Sequence, residues 1–429
     1  MIKEQALRAA FEEKFGAGEV CIFSAPGRVE ICGNHTDHQN GKVIAAAVDL
    51  DMKAAARANE ENVIRIFSEG IGLCEVDITG IGTAEPGTTK SLVFGMAAAL
   101  KNMGFATGGF DAYVISDVPA GSGLSSSAAF EILIGNIISG LFNDGKCDPI
   151  TLAKAGKIAE NDYFGKPSGL MDQLACSVGG LIFIDLEDPD NPLVRKIDLD
   201  FSDFGYTICV VDTGSSHEDL TDAYAEIPAD MKRVAAFFGK DVLRQVSEDE
   251  MKDGFGELMA TVGDRAAARA VHFINEEERV DDLVCCLDAM SAGRGSEIFV
   301  KPGAAESSEP DPEAPSEEQL TYIQQALEII CESGDSSFRF LKNVCLPGRA
   351  VDSSLAEALD MSWELLQGRG AFRVHGGGFA GTMIAIVPDD LLEGYKCVME
   401  ERFGEGSCRT LNISQSSGRI AESTLPQSR

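Results

Sequence analysis

The sequence predicts a mixed α and β protein built as two lobes, and three observations predict it. The chain has 429 residues, more than one compact core accommodates and enough for two. Its first half alternates glycine-punctuated, strand-like runs with helical patterns. A further strand-like run, Tyr206 to Asp212, opens a second half in which helical patterns dominate. The expected boundary falls near residue 200, giving an N-terminal lobe over 1–200 and a C-terminal lobe over 201–429.

At the N-terminus, Leu7, Phe11 and Phe15 recur at helical spacing among Lys3, Glu4, Arg8, Glu12 and Glu13. This reads as an amphipathic surface helix rather than a signal peptide. Next comes Ala25-Pro-Gly-Arg-Val-Glu-Ile-Cys-Gly-Asn-His-Thr-Asp-His38, followed by Gly41 and an apolar stretch from Val43 to Val48. A glycine-bracketed cluster of Arg28, His35, Asp37 and His38 is not core-like. Each of these residues taken alone reads as an ordinary loop residue. Two histidines and Asp37 raise the question of a metal, but no further ligand at helix spacing stands nearby, which disfavours zinc.

The run Phe110 to Val118 reads as a strand and Ala128 to Phe142 as a helix. Between them lies Pro119-Ala-Gly-Ser-Gly-Leu-Ser-Ser-Ser-Ala-Ala129. At such a junction the first backbone N–H groups of the helix lack internal partners and carry positive partial charge. Gly121 and Gly123 let the backbone approach an anion, and Ser125, Ser126 and Ser127 add hydroxyls. The junction suits a nucleotide phosphate. It is not a P-loop, because no Gly-Lys-Ser/Thr follows.

Leu152, Ala155, Ile158 and Ala159 suggest a helix running into Glu160. Beyond a Pro-Ser-Gly turn, Asp172 stands inside an otherwise apolar run, where an acidic side chain needs a partner. It reads equally well as the N-cap of a helix through Leu174 and Ala175. The strand Tyr206 to Asp212 leads through Thr213-Gly-Ser-Ser-His217 to Tyr224, which reads either as a ligand contact or as a helix-packing residue. Lys301 to Ser316 is proline-rich and acidic with no apolar face, so a mobile insertion is expected near 295–316. Leu320, Ile323, Leu327 and Ile330 mark one later helix, and Leu355, Leu359, Trp363 and Leu366 another. Gly370-Ala-Phe-Arg-Val-His-Gly-Gly-Gly-Phe-Ala-Gly-Thr382 reads as a glycine-rich hairpin flanked by a strand to Val387. The residues from about Asn412 form a polar tail. His272 lies outside these segments and reads as structural, while His217 has no reading.

Composition narrows the function. With 36 basic and 69 acidic residues the net charge is −33. That argues against nucleic acid or an anionic membrane as partner. No apolar run reaches transmembrane length. The 12 cysteines are scattered, without a Cys-x-x-Cys pair, as expected for free thiols in a reducing cytoplasm.

The segment Pro119 to Ala129 resembles the phosphate loop of the GHMP kinases, the small-molecule kinases that include galactokinase, homoserine kinase and mevalonate kinase. The segment Gly27 to His38 is similar to the galactokinase signature, matching at Gly27, Arg28, Ile31, Gly33, His35 and Asp37. It departs at Glu30 (usually Asn), Cys32 (usually Ile), Asn34 (usually acidic) and His38 (usually Tyr). The Gly-Leu-Met-Asp-Gln run ending at Gln173 resembles the family's catalytic segment. Two further segments, Val211–Tyr224 and Gly370–Thr382, also resemble the family, the latter with His375 for Thr and Ala380 for Gly.

The resemblance implies a two-lobed α+β GHMP kinase fold, with an N-terminal lobe like ribosomal protein S5 domain 2 and a ferredoxin-like C-terminal lobe. It implies the reaction ATP + sugar → ADP + sugar 1-phosphate, with galactose as the sugar. Asp172 would be the general base and Arg28 its partner. Gly121, Ser122, Gly123, Leu124, Ser125, Ser126 and Ser127 would bind ATP. Ser126, Ser127 and Glu160 would position Mg²⁺. Asn34, His35, Asp37 and Tyr224 would select the sugar. The change at Asn34 keeps galacturonate, N-acetylgalactosamine or another related sugar open as substrate. A galactose and ATP sensor without turnover is the alternative from a different class. The Gly33–Asp37 cluster and the Met-Asp-Gln run speak against a non-sugar alcohol.

Overall fold

The computed structural model describes residues 4–80, 84–119, 121–214, 221–291, 298–299, 315–345, 353–379 and 381–415. The chain divides into two compact units. The first comprises Met1–Arg28, Ala47–Gly180 and Ser414–Arg429, and the second Val29–Ala46 and Leu181–Ile413. His217, Ala380, most of the acidic stretch near 295–316 and the tail beyond 415 lie outside the described residues.

The first unit carries helix α1 (Glu4–Phe15), most of strands β1 (Cys21–Cys32) and β2 (Lys42–Ala58), then β3 (Val63–Ser68), β4 (Gly72–Asp77), α2 (Thr89–Asn102), β5 (Phe110–Ser116), α3 (Ser126–Phe142), α4 (Pro149–Ile158) and α5 (Met171–Val178). Its sheet runs β4-β3-β5-β2. The β3–β5 pair is parallel, and β2 meets β5 antiparallel with Met52 opposite Ser116 and Ala58 opposite Phe110. The spacing of Leu7 and Phe11 on α1 is explained by burial, since both pack with Val20, Ile22 and Ala55.

Helix α3 is buried almost all round from Ala128 to Gly140, as its predominantly apolar sequence requires, and it packs against α2, α4 and α5. It begins two residues earlier than its apolar pattern suggests, so Ser126 and Ser127 are its first two residues. Helix α4 starts on Asp148, whose side chain accepts the Thr151 N–H, with Pro149 in the first turn. It ends at Ile158 and widens into a π-helical turn, Ala159–Phe164, which carries Glu160. Asp172 is the second residue of α5, not its cap, which is Leu170.

The second unit carries β6 (Leu181–Asp185), β7 (Leu193–Ile197), β8 (Tyr206–Asp212), α6 (Thr221–Phe237), α7 (Glu248–Val262), α8 (Asp264–Ser291), β9 (Ile298–Phe299), α9 (Glu317–Ser336), α10 (Ser354–Leu366), β10 (Ala371–Val374), β11 (Thr382–Pro388), α11 (Leu392–Phe403) and β12 (Cys408–Leu411). Four strands form an antiparallel sheet in the order β10-β11-β8-β12. Its alternate residues Cys209, Val211, Val374, Met383, Ala385 and Val387 bury against Leu355, Ala358 and Leu366 of α10 and Tyr395 and Met399 of α11. A second core joins α6, α7 and α8 through Ile227, Met231, Leu258, Ala270 and Phe273. Capping boxes start α7 (Ser247 with Glu250) and α9 (Ser316 with Gln319). No helix among the described residues is long and apolar enough to cross a membrane. None of the twelve cysteines is in a disulfide, and only Cys285 and Cys397 are exposed.

Candidate active site

In the first unit the loop between β5 and α3 turns on Gly121 (φ 75°) and Gly123 (φ 72°), values that only glycine adopts without strain. Ser122 folds its hydroxyl back onto the Pro119 carbonyl, 2.8 Å away. Ser125 sits at the helix cap in the left-handed region, φ 55°, an uncommon conformation for a residue with a side chain. Its hydroxyl does not cap α3; it donates to Asp172. The opening N–H groups of α3 are therefore not capped by that side chain.

The same loop is tied to β1. The Arg28 N–H donates to the Leu124 carbonyl at 3.1 Å, and Arg28 Nη1 donates to the Gly123 carbonyl. The rest of the guanidinium is a two-pronged clamp on Asp172, Nε to Oδ1 at 2.8 Å and Nη2 to Oδ2 at 2.7 Å. Arg28 is 5 % exposed and Asp172 31 % exposed at their side chains, so the carboxylate has an open side. Burial, the largest influence on Asp172, pushes its carboxyl up. The charge of Arg28, the Ser125 and Arg28 hydrogen bonds and the charge of Lys166 together outweigh it and hold the group below the usual carboxylate range. The site thus presents an ionised carboxylate, fixed in direction, next to a helix N-terminus.

Glu160 is buried on the π-helical turn. One oxygen accepts from Lys166 Nζ at 3.0 Å and the other from Gln173 Nε2 at 2.9 Å. The same Gln173 amide donates to Glu131 of α3 at 3.0 Å. Burial, then the charge of Glu160, pushes the Glu131 carboxyl up to about 9, so it is neutral at pH 7. Among the described residues no group of three His, Cys, Asp or Glu side chains could hold a metal ion. Glu160 and the hydroxyls of Ser126 and Ser127 are hard oxygen donors. Such donors are of the type that Mg²⁺ takes beside phosphates and water.

In the second unit, residues 33–41 form a short loop ending in a 3-10 turn, Asp37–Gln39. Asn34 is fully buried. Its amide hydrogens point to Glu30 at 2.9 Å and to the Gly376 carbonyl at 2.7 Å. Its oxygen accepts from Asn343 at 2.8 Å and Ser337 at 3.2 Å, so the amide's hydrogen-bonding capacity is taken up by protein groups. His35, at φ 59°, places Nε2 3.2 Å from the Gly377 carbonyl and Nδ1 3.1 Å from His38 Nε2. A carbonyl only accepts, so His35 carries its proton on Nε2 and His38 donates from its own Nε2. His38 Nδ1 then accepts from the Gln39 amide at 3.2 Å. Both rings are neutral in this chain. Burial drives the His35 pKa down to about 4 and that of His38 well below its ordinary value. Tyr224 on α6 donates to the Gly378 carbonyl at 2.6 Å and meets Phe379 edge-on. Asp37 opens the 3-10 turn and is half-buried.

Two family models match the chain: the galactokinase galactose-binding signature over residues 9–58 and the GHMP kinases N terminal domain over 91–180. A galactokinase of Exiguobacterium sibiricum is 31% identical over 405 residues, spanning 91% of this chain and 90% of that protein. The chain belongs to the galactokinase family. A galactokinase of Streptomyces coelicolor is 28% identical over 94% of both chains. Among solved structures, Lactococcus lactis galactokinase complexed with galactose superposes with a TM-score of 0.77 at 23% identity, covering 97% of this chain and 99% of that one. Methanococcus jannaschii mevalonate kinase gives 0.59 at 15% identity, over 92% of this chain and 99% of that one. The fold is thus the α+β fold of the GHMP kinases.

For a galactokinase-family chain, the second unit holds a polar core that sequence reading missed. Glu276 of α8 is fully buried and accepts the Gly33 N–H at 3.0 Å and the Asn34 N–H at 3.3 Å, as well as the Ser333 hydroxyl. His272, one turn earlier, joins the Asn34 carbonyl to Ser336, each at 2.9 Å. Arg373 of β10, also fully buried, pairs with Glu30 at 3.0 Å and donates to the Ile31 carbonyl at 3.1 Å. Burial raises the Glu276 carboxyl. The charges of His272 and Arg373, the Ser333 hydrogen bond and the charge of Arg279 reverse this and bring it down to about 2. A buried arginine in an apolar strand was the available signal, whereas Glu276 is indistinguishable in sequence from Glu277 and Glu278.

Proposed function

We propose that this chain transfers the γ-phosphoryl group of ATP to the anomeric hydroxyl of galactose, giving ADP and galactose 1-phosphate. The observation that carries the reading is the Arg28–Asp172–Ser125 constellation at the uncapped N-terminus of α3. An ionised carboxylate with an exposed side accepts the proton as the sugar oxygen forms its bond to phosphorus and the bond to ADP breaks. Arg28 orients that carboxylate and offsets negative charge as it develops. The backbone of Gly121 to Ser125 and the first N–H groups of α3 hold the phosphates.

Ser126 or Ser127 and Glu160 would hold Mg²⁺, which would neutralise phosphate charge when bound. Asp37 and Tyr224 select the sugar, while Asn34 and His35 anchor the loop that presents Asp37. Twelve free cysteines support a reducing, cytoplasmic location.

The test is Mg²⁺- and ATP-dependent ADP release with galactose, galacturonate, N-acetylgalactosamine, arabinose and glucose. Turnover on galactose above the others is expected. Preference for galacturonate or the amino sugar would assign the chain to a related sugar, and binding of galactose and ATP without ADP release would make it a sensor.

A further inference from the structure

The buried cluster beneath α3 has a shape that the phosphoryl-transfer residues alone do not explain. Gln173 follows the candidate base directly on α5. Its amide nitrogen divides its two hydrogens between Glu160, at 2.9 Å, and Glu131, at 3.0 Å. The amide orientation follows from Glu160: turned over, its oxygen would face the Glu160 carboxylate, two acceptors with no hydrogen between them. The remaining Gln173 oxygen and the second Glu131 oxygen are both buried and have no hydrogen-bond partner among the described residues.

The packing is fitted to the arrangement. Gly156 of α4 faces the cluster, and a methyl group there would come within 2.9 Å of the Gln173 Cγ and 3.1 Å of a Glu131 oxygen. The acceptor that Gln173 reaches lies on the π-helical turn Ala159–Phe164, a local widening that shifts Glu160 out of ordinary helical phase. Among the described residues Glu160 pairs with one cation, Lys166, whose side chain is 60 % exposed.

We propose that Gln173 is a positioning residue for the divalent cation, braced by Glu131. It fixes one oxygen of Glu160 from behind, so the carboxylate keeps its aim when Lys166 yields its place. This rests on the reading of Glu160 as a metal ligand. Because Asp172 and Gln173 are consecutive on one helix turn, the base and the metal carboxylate are set by a single rigid element.

The test measures Mn²⁺ bound in the presence of ADP, by the electron paramagnetic resonance of free Mn²⁺, together with ADP affinity in EDTA. The full chain is compared with Q173M, E160Q and G156A. Loss of an outer partner of a metal ligand weakens metal binding about 10–100-fold. Q173M should show a loss of that size, with ADP affinity in EDTA unchanged. G156A keeps every polar group and presses only on Gln173 and its brace Glu131. It should lose Mn²⁺ affinity in the same direction, and it decides the matter if Q173M does not fold. Wild-type Mn²⁺ affinity in either folded variant, with E160Q impaired, would overturn the role of Gln173. Wild-type Mn²⁺ affinity in E160Q would instead overturn the metal reading on which the inference stands.

Discussion

Replacing His35 with asparagine should change how stability depends on pH, by an amount the structure sets. Burial is the main force holding the ring neutral. The Gly377 contact opposes it, and the positive charges of His272, Arg269 and Arg373 reinforce it, bringing the pKa to about 4. In the unfolded chain the value is about 6.5. Between these values the unfolded chain binds a proton that the folded chain refuses, so acid favours unfolding. The stability from His35 is complete above about pH 6.5 and is lost as pH falls toward 4. A displacement of roughly 2.5 pKa units is worth about 3 kcal/mol. His38 and His272, also pushed down, act in the same sense, whereas Glu276 loses its contribution only further into acid.

The H35N variant lacks its share of this penalty, so the stability gap between wild type and variant should shrink by about 3 kcal/mol between pH 8 and pH 4. The assay is chemical unfolding at a series of pH values. It is followed through Trp363, the one tryptophan of the chain, which lies in the same unit as His35. A gap that stays constant with pH, or widens in acid, would refute the neutral-ring assignment.

Further expectations follow from the same geometry. Arg28→Lys keeps the charge but loses the two-pronged grip on Asp172, and kcat should fall about a hundredfold in steady-state assays. Glu131→Gln removes a carboxyl that is neutral when folded but ionised when unfolded at pH 8. The variant should therefore melt higher relative to wild type at pH 8 than at pH 5, as calorimetry would show. Phe273→Ala, in the core shared by α6, α7 and α8, should lower stability by about 3–5 kcal/mol in denaturant unfolding.

Much of the architecture was legible because it is locally encoded. The short apolar run Ile208–Val211 places β8 at Tyr206–Asp212, and the 3.6-residue period places α1, α9 and α10. The loop before α3 was legible because two glycines and four serines between a strand-like run and an apolar helical run leave few alternatives. What escaped depends on partners distant in the chain. The amide of Asn34 is engaged by Glu30, Asn343 and Gly376, and the Gly33 and Asn34 N–H groups by Glu276, more than 240 residues away. No pattern within 33–41 signals which of its polar side chains face inward. The π-helical turn at Glu160 was likewise hidden, since one added residue in a helix leaves apolar spacing almost unchanged. Asp172 read equally as a cap or a base because the distinction lies in Arg28, 144 positions earlier.

The most direct test of the central claim is galactose-dependent ADP release by the wild-type chain and by D172N, alongside calorimetric binding of galactose and ADP to both. Removing a positioned base costs about 10²–10⁴ in turnover. Wild-type turnover on galactose, a loss of that size in D172N, and binding retained in both proteins is the predicted result. Wild-type turnover in D172N would contradict the assignment of Asp172 as the base.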